Sequence, residues 1–296
     1  MISLLRPVTR LYTSNAFNRQ FQFRTMASAT TSYARLVRFI PKSGSSDKPL
    51  IGEPQDPEQD VGLAVYDSQP IKVSVFSGSS VLQPGEKTGD VAEVGKLLSP
   101  LAETEVGTIR KPSTALADPY PAPTVIPKSY VGDNAADYES ELVVVIGKKC
   151  KNVSEDEAMS YVAGYTASND VSSRAQQFAQ SQWCYSKSFD GACPIGPAFV
   201  PASQVKDIGE MTIEGRKNGD VVQKSKLDDL IFTVPKIVSF LSQGTTLNPG
   251  TIILTGTPAG VGWSSEPKNL LKDGDEFRVF VSHGVGTLIN KIEEEK

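Results

Sequence analysis

The sequence predicts an α+β fold, a mixed β-roll that carries a small β-rich unit at its N-terminal side. Segments with strand character outnumber segments with helical spacing, and the two kinds do not alternate regularly along the chain. This order argues against a doubly wound parallel sheet. Asn218-Gly219-Asp220 stands between two strand-like runs, and a turn of this composition favours an antiparallel hairpin.

The N-terminal half is expected to be rich in strands. Apolar and alternating runs indicate strands, polar stretches with Pro and Gly indicate loops, and a run of prolines indicates extended chain. The predicted elements are, in order, a strand at 34–40, a loop at 43–59, strands at 61–67 and 71–77 that pair, a short helix at 91–98, and an extended connector at 112–127.

The C-terminal half begins with the apolar run 142–147, which predicts a buried strand. Ser154 and Glu157 have the spacing of a capping box, and Thr233 precedes a helical pattern that ends before Gly244. The further predicted elements are helices at 154–161, 175–181 and 233–242, hairpin strands at 211–217 and 221–225, a buried strand at 251–255, and a closing hairpin of 276–282 and 286–292.

Composition restricts the class of protein. The chain has 296 residues, of which 39% are hydrophobic, enough for one large domain or one domain with a small appendage. A net charge of −4 gives no reason to expect nucleic acid as a partner, and no apolar run reaches the length of a membrane span. The three cysteines, Cys150, Cys184 and Cys193, form no Cys-x-x-Cys pair and are predicted to be buried thiols in a reducing compartment.

The first forty residues differ from the rest of the chain. Six arginines, frequent Ser and Thr, and scattered leucines precede the first acidic residue, Asp47. This composition is typical of a mitochondrial transit segment, which we place at residues 1–32, and a disordered basic tail is the alternative. Met26 is a second candidate start, so a cytosolic form that lacks most of this segment is also expected.

Two carboxylates stand at the start of the buried strand. Residues i and i+2 of a strand point to the same face, so Glu139 and Glu141 are expected to lie together. Asp170 follows another strand-like run. Like charges this close repel unless a cation or a proton intervenes, and carboxylate oxygens suit Mg²⁺, Ca²⁺ or Mn²⁺. The spacing alone leaves open that these are solvated strand ends.

From Lys111 to Asn290 the chain resembles the fumarylacetoacetate hydrolase family, in particular its small mitochondrial members that act on acylpyruvates and oxaloacetate. The stretches that carry the resemblance are Lys111-Pro112-Ser113, 137–147, 164–174, Lys187-Ser188-Phe189-Asp190, 193–197, Asn218-Gly219 with Val222-Gln223, 249–262, 273–275 and 286–290. The resemblance implies a fumarylacetoacetase C-terminal-like mixed β-sandwich roll at 111–296, preceded by the β-rich unit at 33–110. It also implies a homodimer.

The resemblance assigns roles to individual residues. It implies that Glu139, Glu141 and Asp170 bind Mg²⁺ or Mn²⁺, and the presence of a single histidine, His283, argues against zinc. It also implies that Lys187 is a catalytic residue, whose ammonium group would stabilise a developing enolate. The alternative is that Lys187 is an ordinary surface lysine.

Three further residues are implied to bind substrate. The resemblance assigns Arg174 and Gln177 to the carboxylate and carbonyl oxygens of a 2-oxo acid, and Thr257 to its carboxylate. The alternative for Arg174 is a structural salt bridge.

One departure from the family bears on activity. Members carry a lid segment just before the Lys-Pro-Ser stretch, with a Gly-x-Asn-Tyr element and a His and Glu pair that activates water. Here Arg110 runs directly into Lys111, which indicates a skipped exon, a faulty gene model or a natural deletion. We expect a chain without this segment to lose hydrolysis more completely than decarboxylation, because carbon–carbon bond hydrolysis needs an activated water.

The sequence therefore predicts a mitochondrial, metal-dependent hydrolase of acylpyruvates such as acetylpyruvate or fumarylpyruvate. The alternatives are oxaloacetate decarboxylation or enol–keto tautomerisation on the same scaffold. An alternative of another class is a family member that binds 2-oxo acids without turnover, because its lid is missing. A small 2-oxo acid is the expected partner, with no nucleic acid and no membrane.

Overall fold

The computed structural model describes residues 32–43, 48–106 and 111–296. Thr31–Lys296 forms one compact unit. The predicted transit segment lies outside the described residues, apart from residue 32, and so do residues 107–110 beside the predicted lid junction. The domain boundary at 110/111 stays a prediction.

Strands dominate the described chain, as predicted, and the α+β class is confirmed. The strands are β1 Val37–Pro41, β2 Leu50–Pro54, β3 Lys72–Phe76, β4 Lys87–Leu98, β5 Leu116–Ala117, β6 Pro123–Ile126, β7 Ala136–Asp137, β8 Ser140–Ile146, β9 Val162–Asn169, β10 Ser172–Ser173, β11 Cys193–Pro201, β12 Thr212–Lys217, β13 Asp220–Lys226, β14 Ile252–Leu254, β15 Glu276–Val281 and β16 Gly286–Glu294. The α-helices are α1 Val61–Tyr66, α2 Lys128–Val131, α3 Glu155–Ala158, α4 Arg174–Ala179 and α5 Val234–Ser242. None of the helices in the described ranges is long and apolar enough to cross a membrane.

Strands β1 to β4 close into a small barrel. The predicted loop at 43–59 contains β2, which pairs with β1 and β3. The predicted helix at 91–98 is wrong, because this segment belongs to the long strand β4, which closes the barrel against β1. Gly95 permits that closure, since a Cβ there would lie 2.7 Å from the Lys42 Cα.

The predicted strand at 61–67 is also wrong, because this segment forms helix α1. Asp60 caps the helix, and its carboxylate accepts a hydrogen bond from the Leu63 amide at 3.1 Å. Aspartate before an apolar segment is a helix-start signal, and here it outweighs the strand-like alternation. The same carboxylate accepts a 2.7 Å hydrogen bond from the Thr287 hydroxyl of β16.

Two five-stranded sheets form the larger part of the unit. One has the order β14-β8-β9-β11-β5 and the other the order β13-β12-β15-β16-β6. The main hydrophobic cluster contains residues of both sheets, including Leu142 and Val144 of β8 and Val279 of β15. Tyr138, just before β8, stacks on Phe277 with 4.4 Å between ring centroids, so the start of β8 is held against the facing sheet.

The remaining predicted elements are largely confirmed. The β12–β13 hairpin turns at Asn218 and Gly219, which both have positive φ, as a two-residue turn of this type requires. Thr233 caps α5. The 154–161 segment is a turn of α-helix followed by a 3₁₀ turn, and the Ser154 hydroxyl donates to the Glu157 carboxylate instead of capping the backbone.

Candidate metal centre and active site

Strand β8 carries the two glutamates to one face of its sheet. Alternation along the strand places Glu139, Glu141, Val143 and Val145 on that face, while Leu142 and its even-numbered neighbours enter the core between the sheets. Glu139 is 7% exposed and Glu141 is 4% exposed. The two carboxylates are therefore buried beside each other, as predicted from the i, i+2 spacing.

Asp170 joins them because β9 runs antiparallel to β8 and ends beside the start of β8. Ser140 is paired with Asn169 in the register of the two strands, and the Asp170 amide donates to the Glu139 carbonyl at 2.8 Å. Each of the three acidic side chains offers one oxygen, and these oxygens all lie within 4.8 Å of one another. The residues implied as metal ligands thus converge on one point.

Two lysines and one arginine surround the three carboxylates. Lys187 Nζ lies 2.6 Å from Glu139 Oε2 and 2.9 Å from Asp170 Oδ2. Lys111 Nζ contacts Asp170 Oδ1. Arg174 Nη1 lies 2.8 Å from Glu139 Oε1. Each of Glu139 and Asp170 is therefore paired with two basic groups.

Glu141 differs from the other two carboxylates. Among the described residues it has no ion-pair partner, and its Oε2 accepts a 2.6 Å hydrogen bond from the Gly256 amide. Burial raises the pKa of Glu141 well above its usual range, and the charges of Asp170 and Glu139 raise it further. Burial also raises the pKa of Asp170, but the ammonium groups of Lys111 and Lys187 outweigh it and hold that pKa below its usual value.

The donor set fits a hard divalent cation. It consists of three carboxylates, which suit Mg²⁺, Mn²⁺ or Ca²⁺ and are the wrong ligands for a soft metal. Glu141, buried without a cationic partner, is the ligand that a bound cation would relieve most. The exposed His283 lies elsewhere, in the turn between β15 and β16 at positive φ, with its Nδ1 2.9 Å from the Ser282 hydroxyl. It is therefore a turn residue.

Arg174 begins α4 and is buried, with 5% of its surface exposed. Its Nε donates to Asp137 Oδ2 at 2.9 Å, and its Nη1 donates to Gln177 Oε1 at the same distance. Its Nη2 is buried without a hydrogen-bond partner in the described part of the chain. Arg174 therefore forms the salt bridge that was the alternative, and it also keeps one N–H donor without a partner among the described residues. The roles of Arg174 and Gln177 in substrate binding stay predictions.

Gln223 links the second sheet to the site. Its side-chain oxygen accepts from the Ser140 amide at 3.0 Å, and its nitrogen donates to Thr257 Oγ1 at 2.7 Å and to the Pro258 carbonyl at 2.8 Å. Because the Thr257 hydroxyl accepts this bond, its own proton remains free to donate. Thr257 lies one residue beyond Gly256, whose amide donates to Glu141, and its role in substrate binding stays a prediction.

A cavity of about 1150 Å³ opens beside these groups. Lys111, Asp170 and Lys187 lie in one part of its wall, and Cys184 and Cys193 also line it. Cys184 is exposed, which corrects the prediction that all three thiols are buried. Cys184 is exposed because it lies in the surface turn that carries Lys187.

Sequence reasoning missed the positions of three residues. Lys111, Asp137 and Gln223 all stand in the stretches that carry the family resemblance, but their roles were not assigned. Asp137 is fully buried and accepts from the amides of Tyr138, Gly262 and Trp263 as well as from Arg174. The sequence did contain a signal for Asp137: an aspartate at the start of a buried strand needs a partner, because burying an unpaired charge is costly.

The chain belongs to the fumarylacetoacetate (FAA) hydrolase C-terminal family, whose signature matches residues 87–293. Among its relatives, the caffeoylpyruvate hydrolase of Neonothopanus nambi is 39% identical over 303 aligned positions, covering 92% of this chain and 97% of that protein. The mitochondrial oxaloacetate tautomerase fahd2 of Xenopus laevis is 33% identical, covering 91% and 93%. The crystal structure of 2-hydroxyhepta-2,4-diene-1,7-dioate isomerase from Mycobacterium marinum superimposes with a TM-score of 0.73 at 29% identity, covering 88% of this chain and 99% of that one.

The alignment with the caffeoylpyruvate hydrolase contains unmatched positions. Because 92% of 296 residues is about 272 residues, about 31 of the 303 positions face no residue of this chain. The absence of a lid segment and its placement at the Arg110–Lys111 junction stay predictions, since these unmatched positions are not located along the chain and residues 107–110 lie outside the described ranges.

Proposed function

We propose that this protein is a metal-dependent enzyme that hydrolyses a carbon–carbon bond of acylpyruvates, with Mg²⁺ or Mn²⁺ as its cofactor. The observation that carries the proposal is the convergence of three buried carboxylates with Lys187, a cluster of which Asp170 and Lys187 line a cavity. Full-length similarity to a caffeoylpyruvate hydrolase supports the same reaction class. We further propose a mitochondrial location, which a mitochondrial relative supports, and a homodimer.

In this reaction water adds to the acyl carbonyl carbon, and the bond from that carbon to the methylene of the pyruvate part breaks. The electron pair enters the enolate of pyruvate, which then takes up a proton, and the acyl part leaves as a carboxylic acid. A divalent cation held by Glu139, Glu141 and Asp170 would polarise the oxygens of a 2-oxo acid.

The residues of the chain supply the remaining electrostatics. The Lys187 ammonium group keeps its charge, because its pKa is raised: burial lowers it, but Asp170 and Glu139 more than compensate. A fixed positive charge at this place favours the enolate oxygen over the neutral ketone oxygen. The free proton of the Thr257 hydroxyl is suited to donate to the substrate carboxylate.

A second candidate function is enol–keto tautomerisation or decarboxylation of oxaloacetate. The observation that favours it is the absence of histidine and glutamate from the described residues that line the cavity, since hydrolysis needs a base for water. Decarboxylation needs mainly an electron sink, and tautomerisation needs a proton donor and acceptor near the enolate, but neither needs an attacking water. The similarity to an oxaloacetate tautomerase supports this candidate.

The test is a direct comparison of substrates with purified protein and Mg²⁺. Release of pyruvate from acetylpyruvate supports the hydrolase, and faster enol–keto conversion or loss of CO₂ from oxaloacetate supports the second candidate. Calorimetric binding of oxalate without turnover of either substrate would favour a binding protein. Failure of oxalate to bind in the presence of Mg²⁺ would overturn the proposed site.

A further inference from the structure

Helix α5 has more apolar side chains than core packing alone requires. Val234 and Val238 are buried in the main core. Ile237 and Leu241 pack against this core and also line the cavity, and the exposed Phe240 lines the cavity as well. The helix therefore contributes apolar side chains both to the core and to the cavity.

Two more aromatic side chains line the same cavity. Phe232 precedes the helix, and Trp183 belongs to the segment before Lys187. Phe240 is 68% exposed, Phe232 is 60% exposed and Trp183 is 58% exposed. We call Trp183, Phe232, Ile237, Phe240 and Leu241 the aromatic wall. A group of exposed apolar side chains of this kind commonly marks a binding surface.

The cavity lining combines charged and apolar groups. Lys111, Asp170 and Lys187 form one cluster of ion pairs and line the cavity together with the aromatic wall; Lys236 of α5 also lines it and is paired with Glu155. A ligand that contacts both the ion-pair cluster and the aromatic wall must carry an anionic or strongly polar end and a large apolar end. The volume of about 1150 Å³ exceeds what a small acyl group would fill, because pockets of roughly 300–1,000 Å³ already hold drug-sized ligands.

We propose that the aromatic wall binds the acyl substituent of the substrate, and that the preferred substrates are 2,4-dioxo acids with an aromatic or similarly large apolar acyl group. This inference rests on the proposed function, because it takes the ion-pair cluster as the place of the 2-oxo acid. Planar rings suit the wall, since offset or edge-to-face contacts with three aromatic side chains are available to them.

The test compares benzoylpyruvate with acetylpyruvate in Phe240→Ala, with Ile231→Ala as the matched control. Ile231 is 91% exposed and does not line the cavity. For Phe240→Ala, kcat/KM for benzoylpyruvate should fall roughly 10- to 100-fold, while kcat/KM for acetylpyruvate should change less than about threefold. The control should leave both values unchanged.

Binding gives a readout that does not depend on turnover. In the presence of Mg²⁺, calorimetry should show that phenylpyruvate binds more tightly than pyruvate, and that Phe240→Ala removes most of this preference. If the wild type turns over neither dioxo acid but keeps the preference in binding, the hydrolase proposal fails and the aromatic wall stands. Equal losses for both substrates, no preference in binding, or a change of oligomeric state with unchanged selectivity would overturn the aromatic wall.

Discussion

The ammonium nitrogen of Lys187 bridges Glu139 and Asp170, at 2.6 Å from one carboxylate oxygen and 2.9 Å from the other. One side chain thus contacts two of the three residues that are proposed to hold a cation. A divalent cation bound by these carboxylates would have the Lys187 charge as its immediate neighbour. The charge that is proposed to stabilise the enolate is therefore also expected to weaken metal binding.

Replacing Lys187 by Met should separate these two effects. We expect kcat to fall by about 10²- to 10³-fold, because the fixed charge at the developing oxyanion is lost. Mg²⁺ should bind roughly tenfold more tightly, because a like charge near the cation is removed. Steady-state kinetics and calorimetry with Mg²⁺ check the two parts. Weaker Mg²⁺ binding with unchanged kcat would show that Lys187 only organises the carboxylates.

The double substitution of Glu139 and Glu141 by Gln should abolish metal-dependent binding of oxalate, because two of the three anionic ligands become neutral amides. Calorimetry with oxalate, with and without Mg²⁺, measures the effect. Glu155→Gln is the matched control, since Glu155 is a surface residue paired with Lys236. Unchanged oxalate binding in the double variant would disprove the assignment of the metal ligands.

Replacing Gln223 by Ala should raise KM for the 2-oxo acid more than it lowers kcat. The side chain holds Thr257 and the first amide of β8 in place, and it contacts none of the three carboxylates in the described structure. Loss of these bonds in a buried position should also cost about 1–3 kcal/mol of the free energy of unfolding. Denaturant titration and kinetics test both parts. Gln223→Glu keeps the accepting oxygen and should recover part of the stability; a kcat effect alone would contradict this role.

Replacing Asp137 by Asn should destabilise the fold strongly. Its carboxylate accepts bonds from three backbone amides and from Arg174, and it is fully buried. Removing the negative charge breaks one of the two ion pairs of the buried Arg174, which keeps only the pair with Glu139, and breaking a buried pair costs about 3–5 kcal/mol. The free energy of unfolding measures this. A loss below about 1 kcal/mol, the level of an exposed ion pair, would show that the pair is not structural.

Inserting the lid segment of a relative between Arg110 and Lys111 should restore hydrolysis more than decarboxylation. The reason is that hydrolysis alone needs the base that activates water. Rates with acetylpyruvate and oxaloacetate, compared between the protein with and without the inserted segment, provide the measurement, and comparable gains in both rates would contradict the expectation. A cDNA read across the junction decides beforehand whether natural transcripts contain such a segment.

The sequence predicted those parts of the site that depend on local geometry. Glu139 and Glu141 lie on one face because strand alternation is a property of the backbone, and Asp170 could be added through the family resemblance. Lys111 was not assigned, because its contact with Asp170 joins positions 59 residues apart. The same is true of Gln223, whose three partners lie in two other segments of the chain.

The errors in the fold arose where a pattern fits two structures. Residues 91–98 contain apolar positions that a short helix would also satisfy, and their strand conformation follows from the closure of the barrel by β4. Residues 61–66 alternate like a strand, yet the cap by Asp60 and packing against β16 select a helix. In both cases a partner distant in sequence decides between the alternatives.

Asp60 has a consequence for how this protein can be recombined. One carboxylate both starts helix α1 and holds the Thr287 hydroxyl, and a Cβ at the adjacent Gly62 would lie 1.7 Å from the Thr287 carbonyl oxygen. Helix α1 and its cap are therefore fitted to strand β16 in atomic detail. A chimera that takes its N-terminal part from a relative must bring a matching residue at 287 with it, so these two ends of the gene are expected to be inherited together.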